Sequence, residues 1–156
     1  MKFSGPIIAV SDIEASKRFY IEIFDQKIGV DLGENVGFTS GLSLQFNYAR
    51  LAGVDPGSVV KKSHNFELYF EEENFDGFLK KLEKRKDIDY VHRVKKYPWQ
   101  QRVVRIYDPD KHIVEIGEST ASIVKRYLAE GKTVEETAQI IMHPVAAVQA
   151  MAENKL

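Results

Sequence analysis

Hydrophobic and polar positions along this chain follow two periods, one helical and one strand-like, and they do so in the same order twice. Residues 3–10 read as a strand, with Pro6 placing its first residues near a sheet edge. Ser11, Asp12, Ile13 and Glu14 then open a helix. The Ser11 hydroxyl can cap it, Glu14 can reach back, and both acids suit the positive end of the helix dipole. Ile13, Phe19, Tyr20, Ile23 and Phe24 give that helix one apolar face as far as residue 24. Three short strands follow at 26–31, 35–39 and 42–46, with Gly33, Asn35 and Gly41 supplying the turns.

Residues 47–62 lack a strong period. Asp55-Pro56-Gly57-Ser58 is turn chemistry, and the stretch reads as a connector with a short helix at 49–53. The first pattern then returns. Phe66, Leu68 and Phe70 alternate as a strand, Asn74 can cap a helix, and Phe75, Phe78, Leu79 and Leu82 fall on one helical face. Residues 89–95 form a weak strand, and 102–118 read as a closing hairpin. Its turn is Asp108-Pro109-Asp110-Lys111, and Glu115 stands among the apolar residues of its return strand. Alternation puts Glu115 on the face opposite Val114 and Ile116.

The repeat survives a gapless alignment. The cap candidates Asp12 and Asn74 are 74 − 12 = 62 apart, and Gly5 meets Glu67 at the same offset. At the far ends Gln45 meets Glu115, at 115 − 45 = 70. Residues 119–156 stand outside the repeat. They read as a helix over 120–130 stopped by Gly131, a second opened by the capping box Thr133–Glu136, and a third from Pro144. In this tail Lys125, Arg126, Lys132 and Lys155 are balanced by Glu130, Glu135, Glu136 and Glu153. That balance disfavours phosphate backbones, and packing on the sheet module or across a dimer is the favoured role.

Composition narrows the function classes. The chain has 156 residues, 44% hydrophobic and 29% charged, with a formal net charge of −1. No global basic field draws it to nucleic acid or to an acidic membrane. It has no cysteine, which excludes thiolate catalysis, disulfides and cysteine metal sites. No phosphate loop, dinucleotide fingerprint or nucleophile elbow is present, so no nucleotide cofactor is expected. No run is apolar enough to span a bilayer, and the first residues lack a signal-peptide core, so a cytoplasmic location is expected.

The hairpin run Arg102-Val-Val-Arg-Ile-Tyr-Asp-Pro-Asp-Lys-His-Ile-Val-Glu115-Ile resembles the closing hairpin of the vicinal oxygen chelate superfamily. That group holds glyoxalase I, extradiol dioxygenases, fosfomycin-resistance proteins and bleomycin-binding proteins. Pro98-Trp99-Gln100-Gln101-Arg102 resembles the approach to that hairpin in many members, with Gln100 in place of the usual glycine. The expected fold is α+β: two βαβββ modules, at about 1–47 and 63–118, form a curved, partly open mixed sheet around a cavity. The helices of 119–156 are an extension to a 1–118 domain.

The resemblance places metal-ligand positions at Gly5, Gln45, Glu67 and Glu115. Sliding the second module by three residues would put His64 in place of Glu67. Gly5 has no side-chain donor and Gln45 only an amide oxygen. Two carboxylates and an amide suit Mg²⁺ or Mn²⁺ better than Zn²⁺, with Ni²⁺ a further candidate. The other reading of Glu67 and Glu115 is two glutamates on a solvated sheet face; in a closed cavity without metal they would instead make a general base. Trp99, the single tryptophan, and Arg102 are expected to hold substrate, with Gln45 polarising an oxygen. His112 reads as structural. The resemblance implies a lyase or isomerase acting on a small oxygen-rich molecule, in a homodimer. The alternatives are a non-enzymatic sequestering protein of the bleomycin-resistance type and a ligand-sensing regulator that uses the tail.

Overall fold

The computed structural model describes residues 1–154, so Lys155 of the tail's charge balance lies outside the described residues. The chain divides into two compact units, Met1–Glu67 with Tyr107–Ile113, and Leu68–Ile106 with Val114–Leu156. Each carries one four-stranded sheet, in the same spatial order, as the repeat requires.

The first unit runs β1 (Ile7–Val10), α1 (Ile13–Phe24), β2 (Ile28–Asp31), β3 (Asn35–Phe38) and β4 (Ser43–Phe46). The sheet order is β1-β4-β3-β2, with β1 parallel to β4 and β3 antiparallel to both its neighbours. Strand β1 starts four residues later than its apolar pattern does. Pro6 has no N–H for a ladder, and Gly5, at φ +126°, lies so close to Gly41 that a Cβ there would sit 1.9 Å from the Gly41 carbonyl oxygen. Helix α1 buries Ser16, Phe19, Tyr20 and Ile23. Its cap is Asp12, which accepts from the Ala15 N–H, and not Ser11. Ser11 is drawn away because its N–H and hydroxyl both donate to Asp110, at 3.0 and 2.6 Å. The connector holds a short helix α2 (Tyr48–Ala52) and one 3-10 turn, Pro56–Ser58, where Asp55 accepts from the Gly57 N–H.

The hairpin tip Tyr107–Ile113 completes this unit. Asp108 is buried and takes four donors. Its Oδ1 accepts from the backbone N–H groups of Asp110 and His112, at 2.9 and 2.8 Å. Its Oδ2 accepts from the Tyr20 hydroxyl at 2.9 Å and from His112 Nδ1 at 2.8 Å. Burial and the adjacent Asp108 carboxylate push the Tyr20 phenol well above its ordinary range, so it stays a donor.

The second unit runs β5 (Glu67–Glu72), α3 (Phe75–Glu83), β6 (Asp89–Lys96), β7 (Arg102–Tyr107) and β8 (Ile113–Glu118), with sheet order β5-β8-β7-β6. Asn74 caps α3 through the Gly77 N–H, as Asp12 caps α1. Phe75, Phe78 and Leu82 of α3 are buried, as are Val104, Ile106, Val114 and Ile116 of the central strands.

Three tail helices follow, α4 (Thr120–Ala129), α5 (Val134–Ile141) and α6 (Val145–Ala152). The Thr133–Glu136 capping box forms as its spacing predicts. Pro144 sits at the cap of α6, one residue before the first helical position expected for it. Ile123, Val124, Ala138, Ile141 and Val148 bury a small core of their own. Hydrogen bonds tie the tail to its unit: the Ser119 N–H donates to the Glu72 carbonyl, the Ser122 hydroxyl to the Glu73 carbonyl, the Tyr127 hydroxyl to Gln100 Oε1, and Arg126 to Glu118. Gln100 adopts φ +69°, a left-handed conformation that favours glycine. Among the described residues no helix is long and apolar enough to cross a membrane.

Because Ile141 is fully buried in the tail core, Ile141→Ala is expected to destabilise the protein by about 2–5 kcal/mol in urea unfolding. A loss under about 0.5 kcal/mol would show that this core contributes little.

Candidate functional site

Strands β7 and β8 set the geometry of the second unit's polar face. At their turn the Asp108 N–H donates to the His112 carbonyl at 3.0 Å. Counting three residues back and three forward from that pair (108 − 3 = 105, 112 + 3 = 115) brings Arg105 opposite Glu115. Alternation sends Val104, Ile106, Val114 and Ile116 to one face, and Arg105, Glu115 and Gly117 to the other. A Cβ at Gly117 would come 2.6 Å from Gln101 Nε2, so any larger residue would displace the Gln101 side chain.

Glu115 is buried, and its carboxylate pairs with the Arg105 guanidinium. Arg105 Nη1 also donates to the Tyr97 hydroxyl at 2.7 Å and lies 3.0 Å from His92 Nε2. His92 Nδ1, 2.8 Å from the Arg93 carbonyl, is the donor of its ring, which leaves Nε2 to accept from Arg105. The rings of Tyr97 and Trp99 stack at 4.6 Å and 16°. Trp99 Nε1 donates to Gln101 Oε1 at 3.0 Å, and Gln101 Nε2 donates to the Tyr69 hydroxyl at 2.9 Å. Burial, reinforced by Glu71 and opposed by Gln101, pushes the Tyr69 phenol up to about 12, so it is a donor and not a base at neutral pH.

The other expected residues lie elsewhere. Arg102 faces α3, not Trp99. Its Nη2 is 3.0 Å from Glu118 Oε1, its Nη1 is 2.7 Å from Asp76, and its guanidinium covers the Phe75 ring. Trp99 and Arg102 therefore do not form one wall: Trp99 lies in the turn before β7 and bonds to Gln101, while Arg102 is held by Asp76 and Glu118. In the first unit Gln45 is buried, accepting from Asn35 Nδ2 at 2.9 Å and donating to the Phe46 carbonyl at 2.6 Å. Glu67 is exposed at the start of β5. His64 precedes that strand and meets the Tyr107 hydroxyl through Nε2 at 2.8 Å. Arg105 escaped the sequence reading, although it stands within the quoted hairpin. The available signal was the register of the turn, which pairs it with Glu115.

These residues do not fit a divalent metal. Gly5 is packed where a side chain would strike backbone, both ends of the Gln45 amide are committed, and Glu115 is neutralised by a guanidinium. Among the described residues no three His, Cys, Asp or Glu gather into a cluster that could hold an ion.

The glyoxalase-like domain model matches residues 3–121. The chain belongs to the glyoxalase-like family. A protein of unknown function from Agrobacterium tumefaciens is 32% identical, with a TM-score of 0.66 over 76% of this chain and 94% of that one. A glyoxalase-related enzyme from Fulvimarina pelagi is 21% identical, with a TM-score of 0.64 over 77% and 89%. The fosfomycin resistance protein FosX from Mesorhizobium loti is 18% identical, with a TM-score of 0.56 over 81% and 97%. The last two likenesses show the shared fold of the vicinal oxygen chelate superfamily. No curated protein matches the sequence. The family includes lyases and resistance proteins, so membership alone does not choose between catalysis and binding.

Two buried carboxylates shape the response to acid. Burial raises both Glu118 and Asp110, but Arg102 and Arg126 outweigh it at Glu118, and Ser11 and Lys61 at Asp110, leaving each below its ordinary value. A carboxylate depressed on folding stabilises above its unfolded value, and that contribution is lost as pH falls through the lower, folded value. Stability is therefore expected to fall from about pH 5 downward, with a shallower slope for Glu118→Gln in denaturant titrations at stepped pH. An unchanged slope would contradict this.

Proposed function

We propose that this glyoxalase-like protein binds a small oxygen-rich anion on the Arg105–Glu115 face of its second sheet, without a divalent metal, and acts as a sequestering protein. The observation that carries the reading is the Arg105–Glu115 pair. In the resemblance, the Glu115 position offers a carboxylate to a cation. Here the cation is already the chain's own guanidinium. A planar guanidinium is itself a receptor for carboxylates and other oxyanions, so a ligand competes with Glu115 for Arg105. The Tyr97–Trp99 stack supplies a flat apolar wall beside it.

In this reading Glu115 and Trp99 keep site roles, and Arg102 braces α3 against β8. Gln45 holds the first sheet together, and Glu67 is a solvated strand end. Residues 1–118 are the domain and 119–156 its helical extension. A cytoplasmic homodimer is part of the proposal on the strength of the family alone.

The test is titration with oxalate, lactate and pyruvate in the presence of a chelator, read by Trp99 fluorescence. Saturable binding is expected, and Glu115→Gln is expected to tighten it about tenfold by removing the competing carboxylate. Loss of binding in that variant, or with the chelator, would support a chelate mechanism and overturn the proposal.

A further inference from the structure

The first unit contains a cavity of about 370 Å³, ample for a single-ring molecule. Neither Gln45, Glu67 nor His64 lines it. Its walls are apolar, formed among others by Val10, Phe46, Val59 and Val60, while Ser11, Lys61, Asp110 and His112 gather its polar groups.

Those polar groups are not equivalent. Asp110 is consumed by the Ser11 N–H, the Ser11 hydroxyl and Lys61 Nζ at 3.0 Å. Asp108 is consumed by its four donors and does not line the cavity. His112 is different. Its Nδ1–H is given to Asp108, which places the lone pair of the neutral ring on Nε2. Among the described residues nothing bonds to Nε2, and the ring is braced by the edge of Phe66, with centroids 6.0 Å apart. This is an acceptor whose tautomer and orientation are both set from behind, beside an ammonium that also lines the cavity.

We propose that this cavity is a second ligand site, taking a small, largely apolar molecule with one hydroxyl group. The hydroxyl donates to His112 Nε2 and its oxygen accepts from Lys61 Nζ, while the apolar body lies among Phe46, Val59 and Val60. Asp108 and Tyr20 are positioning residues that hold the imidazole. A carboxylate ligand fits less well, because Asp110 already claims the Lys61 charge and Asp108 lies behind the histidine. The site does not depend on the Arg105–Glu115 reading, which concerns the other unit.

The experiment is a titration of the full chain with benzyl alcohol and, separately, toluene, followed through the imidazole nitrogen resonances. Benzyl alcohol is expected to bind one to one and move the His112 Nε2 signal, with toluene about tenfold weaker for want of the hydrogen bond. Val60→Trp fills the cavity from an exposed position without touching the Asp108–His112 pair, and should abolish binding. Glu115→Gln should leave benzyl alcohol binding unchanged. Equal affinity for toluene, a stationary Nε2 signal, or full binding by Val60→Trp would each overturn the proposal.

Discussion

The carboxylate of Asp108 is the point on which the first unit depends. It closes the hairpin turn through two backbone N–H groups and accepts from Tyr20 of α1 and from His112. A buried ion is tolerated only when its lone pairs are met, and here four donors meet them. Two residues further on, Asp110 holds the Ser11 N–H and hydroxyl just before α1 begins. A short acidic turn thus fixes the hairpin tip against the first helix. The same contacts orient His112, so a device that serves folding also aims an imidazole at a cavity.

In the second unit the corresponding constraint is Arg105 opposite Glu115. A guanidinium beside a buried carboxylate compensates its charge as a divalent cation would. Unlike a divalent cation it leaves no open coordination positions and polarises no bound oxygen as a Lewis acid. What it keeps is affinity for oxyanions. Gly5 fits the same account, because its backbone lies against Gly41 where no side chain can enter. The family fold is retained, with Arg105 paired to Glu115 on the second sheet.

Much of this was legible in the chain. Helix caps at Asp12 and Asn74, the Thr133–Glu136 box and the Asp108–Asp110 turn are local hydrogen-bond devices, and local devices can be read from spacing. The doubled order of elements along the chain followed from the offset of 62, and the placement of Glu115 opposite Val114 and Ile116 from simple alternation. What spacing did not reveal were long-range pairings. Ser11 looked like a cap and serves Asp110, 99 residues away. Arg102 looked like a partner of Trp99 and instead faces Asp76 and Glu118. In both cases the residue has the right chemistry for a near neighbour, and the tertiary fold supplies a better one. His112 was read as structural. Its Nδ1 serves the turn, while the face it offers the cavity is visible only in three dimensions.

The central claim is that Arg105, not a metal ion, answers Glu115. The most direct measurement is thermal unfolding of chelator-treated protein with one and ten equivalents of Mn²⁺, Ni²⁺, Zn²⁺ or Mg²⁺, alongside Arg105→Gln. The account predicts no saturable shift in the native chain, and a shift in Arg105→Gln if the freed carboxylate then recruits a cation. A saturable stabilisation of the native chain at one equivalent, lost in Glu115→Gln, would contradict it.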